Sequence, residues 1–182
     1  MRLDQILVVN GMFSSRSKAQ EAIKDKVITV NGKVRKASFD CTEADIIEVI
    51  GFTNPYVSRA GLKLEQAIKE YSIDFTDKIV LDVGASTGGF TEVALKFGAK
   101  LVYSVDVGTL QLVDELKNDE RVISYENTNI LSVDESKFTK GNPDLIVMDV
   151  SFVSVKKIIP YIMQFSKEMV ILIKPQFESG GK

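Results

Sequence analysis

The stretch Ile79-Val80-Leu81-Asp82-Val83-Gly84-Ala85-Ser86-Thr87-Gly88-Gly89-Phe90-Thr91 decides the fold. Its first five residues are almost wholly apolar, as in a strand of a parallel sheet that is covered on both faces. Glycines then allow a tight turn, and Phe90 to Phe97, ended by Gly98, has the spacing of an amphipathic helix. Such a turn lets a ligand approach the backbone, and the start of the helix offers unpaired N–H groups to an anionic group. A nucleotide-type cofactor site is therefore expected here. The dinucleotide fingerprint needs glycine at its first, third and sixth positions, whereas Gly84 is followed by Ser86 at the third and Gly89 at the sixth. The nicotinamide reading is weakened accordingly. A P-loop is excluded, because no Gly-Lys-Ser/Thr follows.

Outward from this stretch, strands are expected at 78–83, 101–107, 121–125, 144–149 and 169–174, with further helices from Leu110 to Lys117 and from Val153 to Phe165. Apolar strands alternating with helices predict an α/β domain built on a parallel, doubly wound sheet. The second strand ends at Val105-Asp106, 22 residues after Gly84. A carboxylate there can accept both ribose hydroxyls of an adenosine, which suits NAD and S-adenosylmethionine alike. The fourth strand runs into Asp149-Val150-Ser151-Phe152 and the fifth into Lys174-Pro175-Gln176-Phe177-Glu178. Neighbouring parallel strands share one carboxyl edge, so Asp149 and Lys174 should meet beside the cofactor. A lysine closing an apolar strand also needs a partner. Ahead of the sheet lies a basic segment, Ser58-Arg59-Ala60-Gly61-Leu62-Lys63-Leu64, which opens a helix reaching about Tyr71.

The chain has 182 residues, of which 45% are hydrophobic and 26% charged, a globular composition that argues against disorder. It contains no histidine, no tryptophan and one cysteine, Cys41. Ser-His-Asp and Cys-His catalysis, the usual zinc sites and a disulfide framework are thereby excluded, and no metal is expected. Asp4 falls where a signal peptide carries no acid, and no segment approaches the roughly 18 apolar residues of a membrane helix. A soluble, cytoplasmic protein is expected. With a formal net charge of -2, any nucleic-acid contact must come from a local patch.

Residues 1–51 read as a small α+β domain. Leu3 to Val8 form a short helix ended by Gly11, Ser14 or Ser15 caps a second helix reaching Lys24, and Asn31-Gly32 joins two strands at 27–30 and 33–36. A third strand is expected at about 45–50. Residues 52–60 read as a linker and 61–182 as the large domain. Arg2, Arg16, Lys18, Lys33, Arg35 and Lys36 can share one outward face. Arg2-Leu3-Asp4, Ser14-Ser15-Arg16-Ser17-Lys18-Ala19, Ile23-Lys24 and Val30-Asn31-Gly32-Lys33 resemble the RNA-binding domain first named from ribosomal protein S-four. That resemblance implies recognition of structured RNA through its backbone and shape. Lys26 stands where that family often has glycine, so a positive φ there would cost about 1 kcal/mol. Arg2-Leu3-Asp4 also echoes the catalytic tripeptide of pseudouridine synthases, a reading set aside because it opens a helix at the terminus.

Asp82-x-Gly84-x-x-x-Gly88-Gly89 with Asp106 resembles the first motif and the following acid of class I S-adenosylmethionine-dependent methyltransferases. The resemblance assigns Asp82, Gly84, Ser86, Gly88, Gly89, Phe90 and Asp106 to the cofactor, with Asn129 and Ile130 beside adenine. Together with Ser58–Leu64, Asp149–Phe152 and Lys174–Glu178, these motifs resemble the TlyA, or hemolysin A-like, family, which joins an S-four-type domain to an FtsJ-like ribosomal RNA methyltransferase. What the resemblance implies is methyl transfer from S-adenosylmethionine to a ribose 2′-hydroxyl of ribosomal RNA cytidine, with ribosomal subunits as partners and neither membrane nor DNA. Lys63, Asp149 and Lys174 match three members of its Lys-Asp-Lys-Glu tetrad. Lys174 is expected to be the base, its proton affinity lowered by burial and by Lys63. Asp149 would hold it, and Lys63 with Arg59 would meet phosphate or ribose.

A complete sheet of that class has seven strands, and five are legible. The chain is therefore expected to be a piece of a longer one, or to have its Met169–Ile173 edge covered by a neighbour. A non-catalytic RNA-binding protein with a vestigial cofactor fold, a membrane-active hemolysin and an oxidoreductase are the competing readings.

Overall fold

The computed structural model describes residues 1–51, 54–109 and 111–179. The start of the expected linker at Phe52 and Thr53, the helix start at Leu110, and the residues 180–182 lie outside the described residues. Two compact units are present, Met1–Pro55 and Tyr56–Lys182.

The first unit consists of α1 (Leu3–Val9), α2 (Arg16–Lys24), and a three-stranded antiparallel sheet of β1 (Ile28–Val30), β2 (Lys33–Val34) and β3 (Ile47–Val49) in the order β2-β1-β3. Ser15 caps α2 by accepting the Lys18 N–H, so the second of the two expected serines takes the role. Asn31 and Gly32 both have positive φ, 52° and 71°, as the two-residue hairpin requires. Lys26 sits at φ 60°, so the site does demand the left-handed conformation that glycine would take without strain. Leu3, Leu7, Ala19, Ile23, Ile28 and Val30 form the core of the unit.

The second unit begins with α3 (Ala60–Tyr71). It continues through β4 (Ile79–Val83), α4 (Gly89–Lys96), β5 (Leu101–Val105), the single-turn α5 (Asp114–Lys117), β6 (Val122–Tyr125), β7 (Leu145–Met148), α6 (Val155–Ile162), β8 (Met169–Ile171) and the single-turn α7 (Pro175–Glu178). The five strands are parallel in the order β6-β5-β4-β7-β8. This is the doubly wound sheet expected: Val80, Val102, Leu145 and Val147 face α3 and α4, while Leu81, Tyr103, Ile146 and Met148 face α6.

The helix expected from Val153 to Phe165 spans only Val155–Ile162 and the strand expected at 33–36 only Lys33–Val34; three further elements are shorter for a reason visible locally. The helix placed from Leu110 starts at Asp114, because Glu126 accepts the N–H groups of Gln111 and Leu112 and holds them out of a helix. The second large-domain strand stops at Val105, where Asp106 turns back to accept the Gly108 N–H. The fifth ends at Ile171, and Pro175 then starts α7.

Candidate active site

All five strands of the second unit point their carboxyl ends at one edge, and the turn after β4 sits at its centre. Gly84 has φ 82°, and a Cβ there would lie 2.8 Å from the Asp149 carbonyl oxygen. Only glycine fits, which fixes the turn against the end of β7. Ser86, also at positive φ (50°), donates its N–H to Asp106 Oδ2 at 2.8 Å. Asp106 Oδ1 accepts the Gly108 N–H at 2.7 Å. Both carboxylate oxygens are thus aimed by backbone, and each keeps capacity for a further donor.

A crevice of about 550 Å³ opens along this edge. Gly84, Ser86 and Asp106 line it, as do Asn129 and Ile130, which were expected beside it. Asn129 caps the turn Ile130–Ser132 by accepting the Leu131 N–H. The crevice is also walled by Val107, Gln111, Thr128 and the loop from Val150 to Val153, which the sequence reading did not assign.

Asp82 and Phe90 lie elsewhere. Phe90 is 4% exposed and packs in the core under α4, so its side chain supports the turn and does not line the crevice. Asp82 has no exposed surface. Its Oδ2 accepts a hydrogen bond from Thr91 Oγ1 at 2.6 Å, and Thr91 stands 2.7 Å from Ser104 Oγ. Its Oδ1 has no hydrogen-bond partner among the described residues. Burial pushes this carboxyl up to about 7, with Thr91 opposing the shift. Gly88 and Gly89 serve packing: a Cβ on Gly88 would strike Leu116 and Leu112, and one on Gly89 would strike Ser58 Oγ.

At the ends of β7 and β8, Lys174 Nζ lies 2.6 Å from Asp149 Oδ1 and donates to Ser151 Oγ at 2.8 Å. Their side chains are 19% and 12% exposed. The pairing expected from the parallel topology is therefore present. Lys63 behaves differently. It is exposed on the first turn of α3 and makes no hydrogen bond or ion pair with Asp149 or Lys174 among the described residues. The segment before it is pinned to α4: Glu92 Oε2 accepts the Val57 N–H at 2.6 Å, and Lys96 stands over the Tyr56 ring at 4.6 Å. Burial, with Glu65 nearby, pushes the Tyr56 hydroxyl up to about 12.

Loop 149–154 and segment 174–178 grip each other beyond the ion pair. Phe152 has φ 63° and is 91% exposed, with its ring 5.3 Å from that of Phe177. Glu178 accepts the Val155 N–H and the Ser154 hydroxyl. No spacing in the sequence announces these contacts, although Pro175 in the first turn of α7 marks where the chain bends back.

In the first unit the basic residues divide. Asp4 is fully buried and accepts from Arg2 Nε at 3.0 Å, Arg16 at 2.8 Å and Gln20 Nε2 at 2.6 Å. These donors hold its carboxyl well below the usual carboxylate range. Arg2 and Arg16 are consequently tied to an acid and are not the free cations of the expected patch. Arg35 stacks its guanidinium on Phe39 at 4.7 Å. Lys33 and Lys36 are exposed and Lys18 is half-buried. Arg59, in the second unit, is exposed.

The family described as FtsJ-like methyltransferase matches residues 56–182, and the S4 domain matches residues 1–47. Hemolysin A of Brachyspira hyodysenteriae is 48% identical over 98% of this chain and 76% of its own length. The 23S rRNA (cytidine-2′-O)-methyltransferase TlyA of Campylobacter jejuni is 37% identical over 99% of this chain and 77% of its own. A solved chain from Streptococcus thermophilus that carries the hemolysin name superposes with a TM-score of 0.72 at 38% identity, covering 99% of this chain and 68% of that one. A second, from Lactococcus lactis, gives 0.66 at 47% identity, covering 69% of this chain and 62% of that one. Among the described residues no helix is long and apolar enough to cross a membrane.

Proposed function

Because the chain belongs to the FtsJ-like methyltransferase family and carries an S4 domain ahead of it, we propose that it transfers a methyl group from S-adenosylmethionine to a ribose 2′-hydroxyl of ribosomal RNA. The nucleotide is cytidine and the substrate the RNA of ribosomal subunits, in keeping with the named activity of the Campylobacter relative. The observation that carries the reading is the Lys174–Asp149 pair, 2.6 Å apart, whose Asp149 lines the same crevice as Asp106 and the Gly84 turn.

The residues suit the cofactor. Asp106 would accept the ribose hydroxyls with the capacity its two backbone donors leave free, and Asn129 and Ile130, which line the crevice, would flank the adenine. The Gly84–Ser86 turn, which lines the crevice, would face the methionine end. When bound, S-adenosylmethionine supplies a methyl group already activated by its sulfonium. The protein has then to align a nucleophile and take up one proton. With no histidine in the chain, Lys174 Nζ takes the proton from the 2′-hydroxyl. It does so as the neutral amine, having first released its own proton to water. Lys63 is too exposed to tune Lys174 by contact, and its part, with Arg59, is to meet RNA phosphate. Lys18, Lys33, Arg35 and Lys36 hold RNA at the S4 domain.

Incubation of the protein with methyl-labelled cofactor and ribosomal subunits, followed by nucleoside analysis, is expected to yield 2′-O-methylcytidine. Label on a base would overturn the ribose assignment. Lys174→Ala is expected to abolish transfer while leaving the cofactor Kd within about threefold, as loss of a group acting only on the reacting atoms requires. Full activity in that variant would remove Lys174 from the role of base.

A further inference from the structure

The five residues from Lys174 to Glu178 touch the seven from Asp149 to Val155 at successive points. Lys174 pairs with Asp149 and donates to Ser151, Phe177 packs on Phe152, and Glu178 binds Ser154 and Val155. The Glu178 contacts close this run: Oε1 accepts the Val155 N–H at 2.9 Å and Oε2 accepts the Ser154 hydroxyl at 2.6 Å. Val155 opens α6, so the carboxylate satisfies one of that helix's unpaired N–H groups and sits at the positive end of its dipole. Between the two ends of the run lies Phe152, held at φ 63° although it is a bulky residue and almost wholly exposed. Such a conformation persists only where its surroundings over-determine it.

We propose that Glu178 is a positioning residue for methyl transfer: by fastening α7 to the start of α6 it fixes the loop 150–153, and through that loop the place of Lys174 relative to the crevice. The inference rests on the methyltransferase reading above. Glu178 touches neither Asp149 nor Lys174, so it acts through the loop and not on the reacting atoms. The polar binding groups at Ser86, Asp106 and Asn129 are aimed by hydrogen bonds on other elements and keep their places without it, the loop 150–153 adding one wall of the crevice. Its loss therefore falls on the chemical step more than on cofactor or RNA binding.

The test compares the wild-type protein with Glu178→Ala, Glu178→Gln, Ser154→Ala and the double variant Glu178→Ala/Ser154→Ala. Steady-state methylation of ribosomal RNA, cofactor titration and amide hydrogen exchange at Val155 and Lys156 are measured on each. Glu178→Ala is expected to lower kcat about tenfold, with the RNA KM and the cofactor Kd moving less than about threefold, as misplacement of a reacting group without loss of binding groups requires. Exchange at Val155 accelerates at the same time. Glu178→Gln, whose amide oxygen can still accept the Val155 N–H, recovers most of kcat. Adding Ser154→Ala to Glu178→Ala costs little more, because the two act as one unit. Unchanged kcat in Glu178→Ala, additive losses in the double variant, or an equal fall in binding and turnover would each overturn the proposal. If the wild-type protein transfers no methyl group, the methyltransferase reading is what fails, and the clasp stands or falls on exchange at Val155 alone.

Discussion

Two buried carboxyls of this chain are perturbed in opposite directions, and each makes a separate pH prediction. Asp4, held low by Arg2, Arg16 and Gln20, contributes stability that is present above the ordinary aspartate value of about 3.9 and is lost as the pH falls below it. Thermal unfolding of the first unit should show that acid limb. Asp4→Asn should lower the midpoint by several degrees at neutral pH and flatten the acid limb; an unchanged profile would contradict the burial of the charge among its donors. Asp82 runs the other way. Its proton is retained up to about pH 7 in the folded chain but lost near 3.9 in the unfolded one, so stability is fully present below about pH 4 and declines towards pH 7. Asp82→Asn should abolish that decline and leave the variant relatively more stable at pH 8, as followed by denaturant titration across the range. Neither environment is legible in the sequence. Asp4 reads as an acid at the start of a helix, and Asp82 as a cofactor residue opening the glycine-turn motif; what buries them is packing by residues far along the chain.

At the level of elements, most of the architecture is legible because hydrophobic period and turn chemistry agree. Asn31-Gly32 fixes a hairpin, Gly98 ends α4, and alternation of apolar strands with helices gives the parallel sheet. Two places where the reading fails are those where a side chain, near or distant in sequence, captures a backbone N–H. Glu126 prevents helix at 111–113, and Asp106 ends β5 early. The site is legible in the same proportion. Asp149 and Lys174 follow from strand topology, whereas the place of Lys63 depends on the packing of α3, which no motif specifies. Lys26 offers a test at this scale. It ends the turn after α2 at φ 60°, so Lys26→Gly should raise the stability of the first unit by about 0.5–1 kcal/mol in a denaturant titration. Destabilisation would mean that its side chain contributes more than its backbone costs.

Over the whole molecule, charge and topology each impose a behaviour. The net charge of -2 gives no general attraction to RNA, so binding must depend on a few local contacts. With Arg2 and Arg16 engaged by Asp4, Lys18, Lys33, Arg35 and Lys36 remain for phosphate in the small unit. Together with Lys63 and Arg59 they make about six contacts, which imply a slope of log affinity against log salt of about −4 to −5, measurable by titration of labelled ribosomal RNA between low and physiological salt. A slope no steeper than about −1.5, which Lys63 and Arg59 alone account for, would remove the small unit from RNA binding. The sheet order carries a different consequence. β4 pairs with β5 close by in the chain but with β7 only through partners such as Val80 and Leu145, which lie 65 positions apart. During synthesis the small unit, whose strands are near neighbours, can close first. The central strand of the catalytic unit must wait with one flank open until β7 leaves the ribosome, and over that interval its apolar run is the segment most in need of a chaperone.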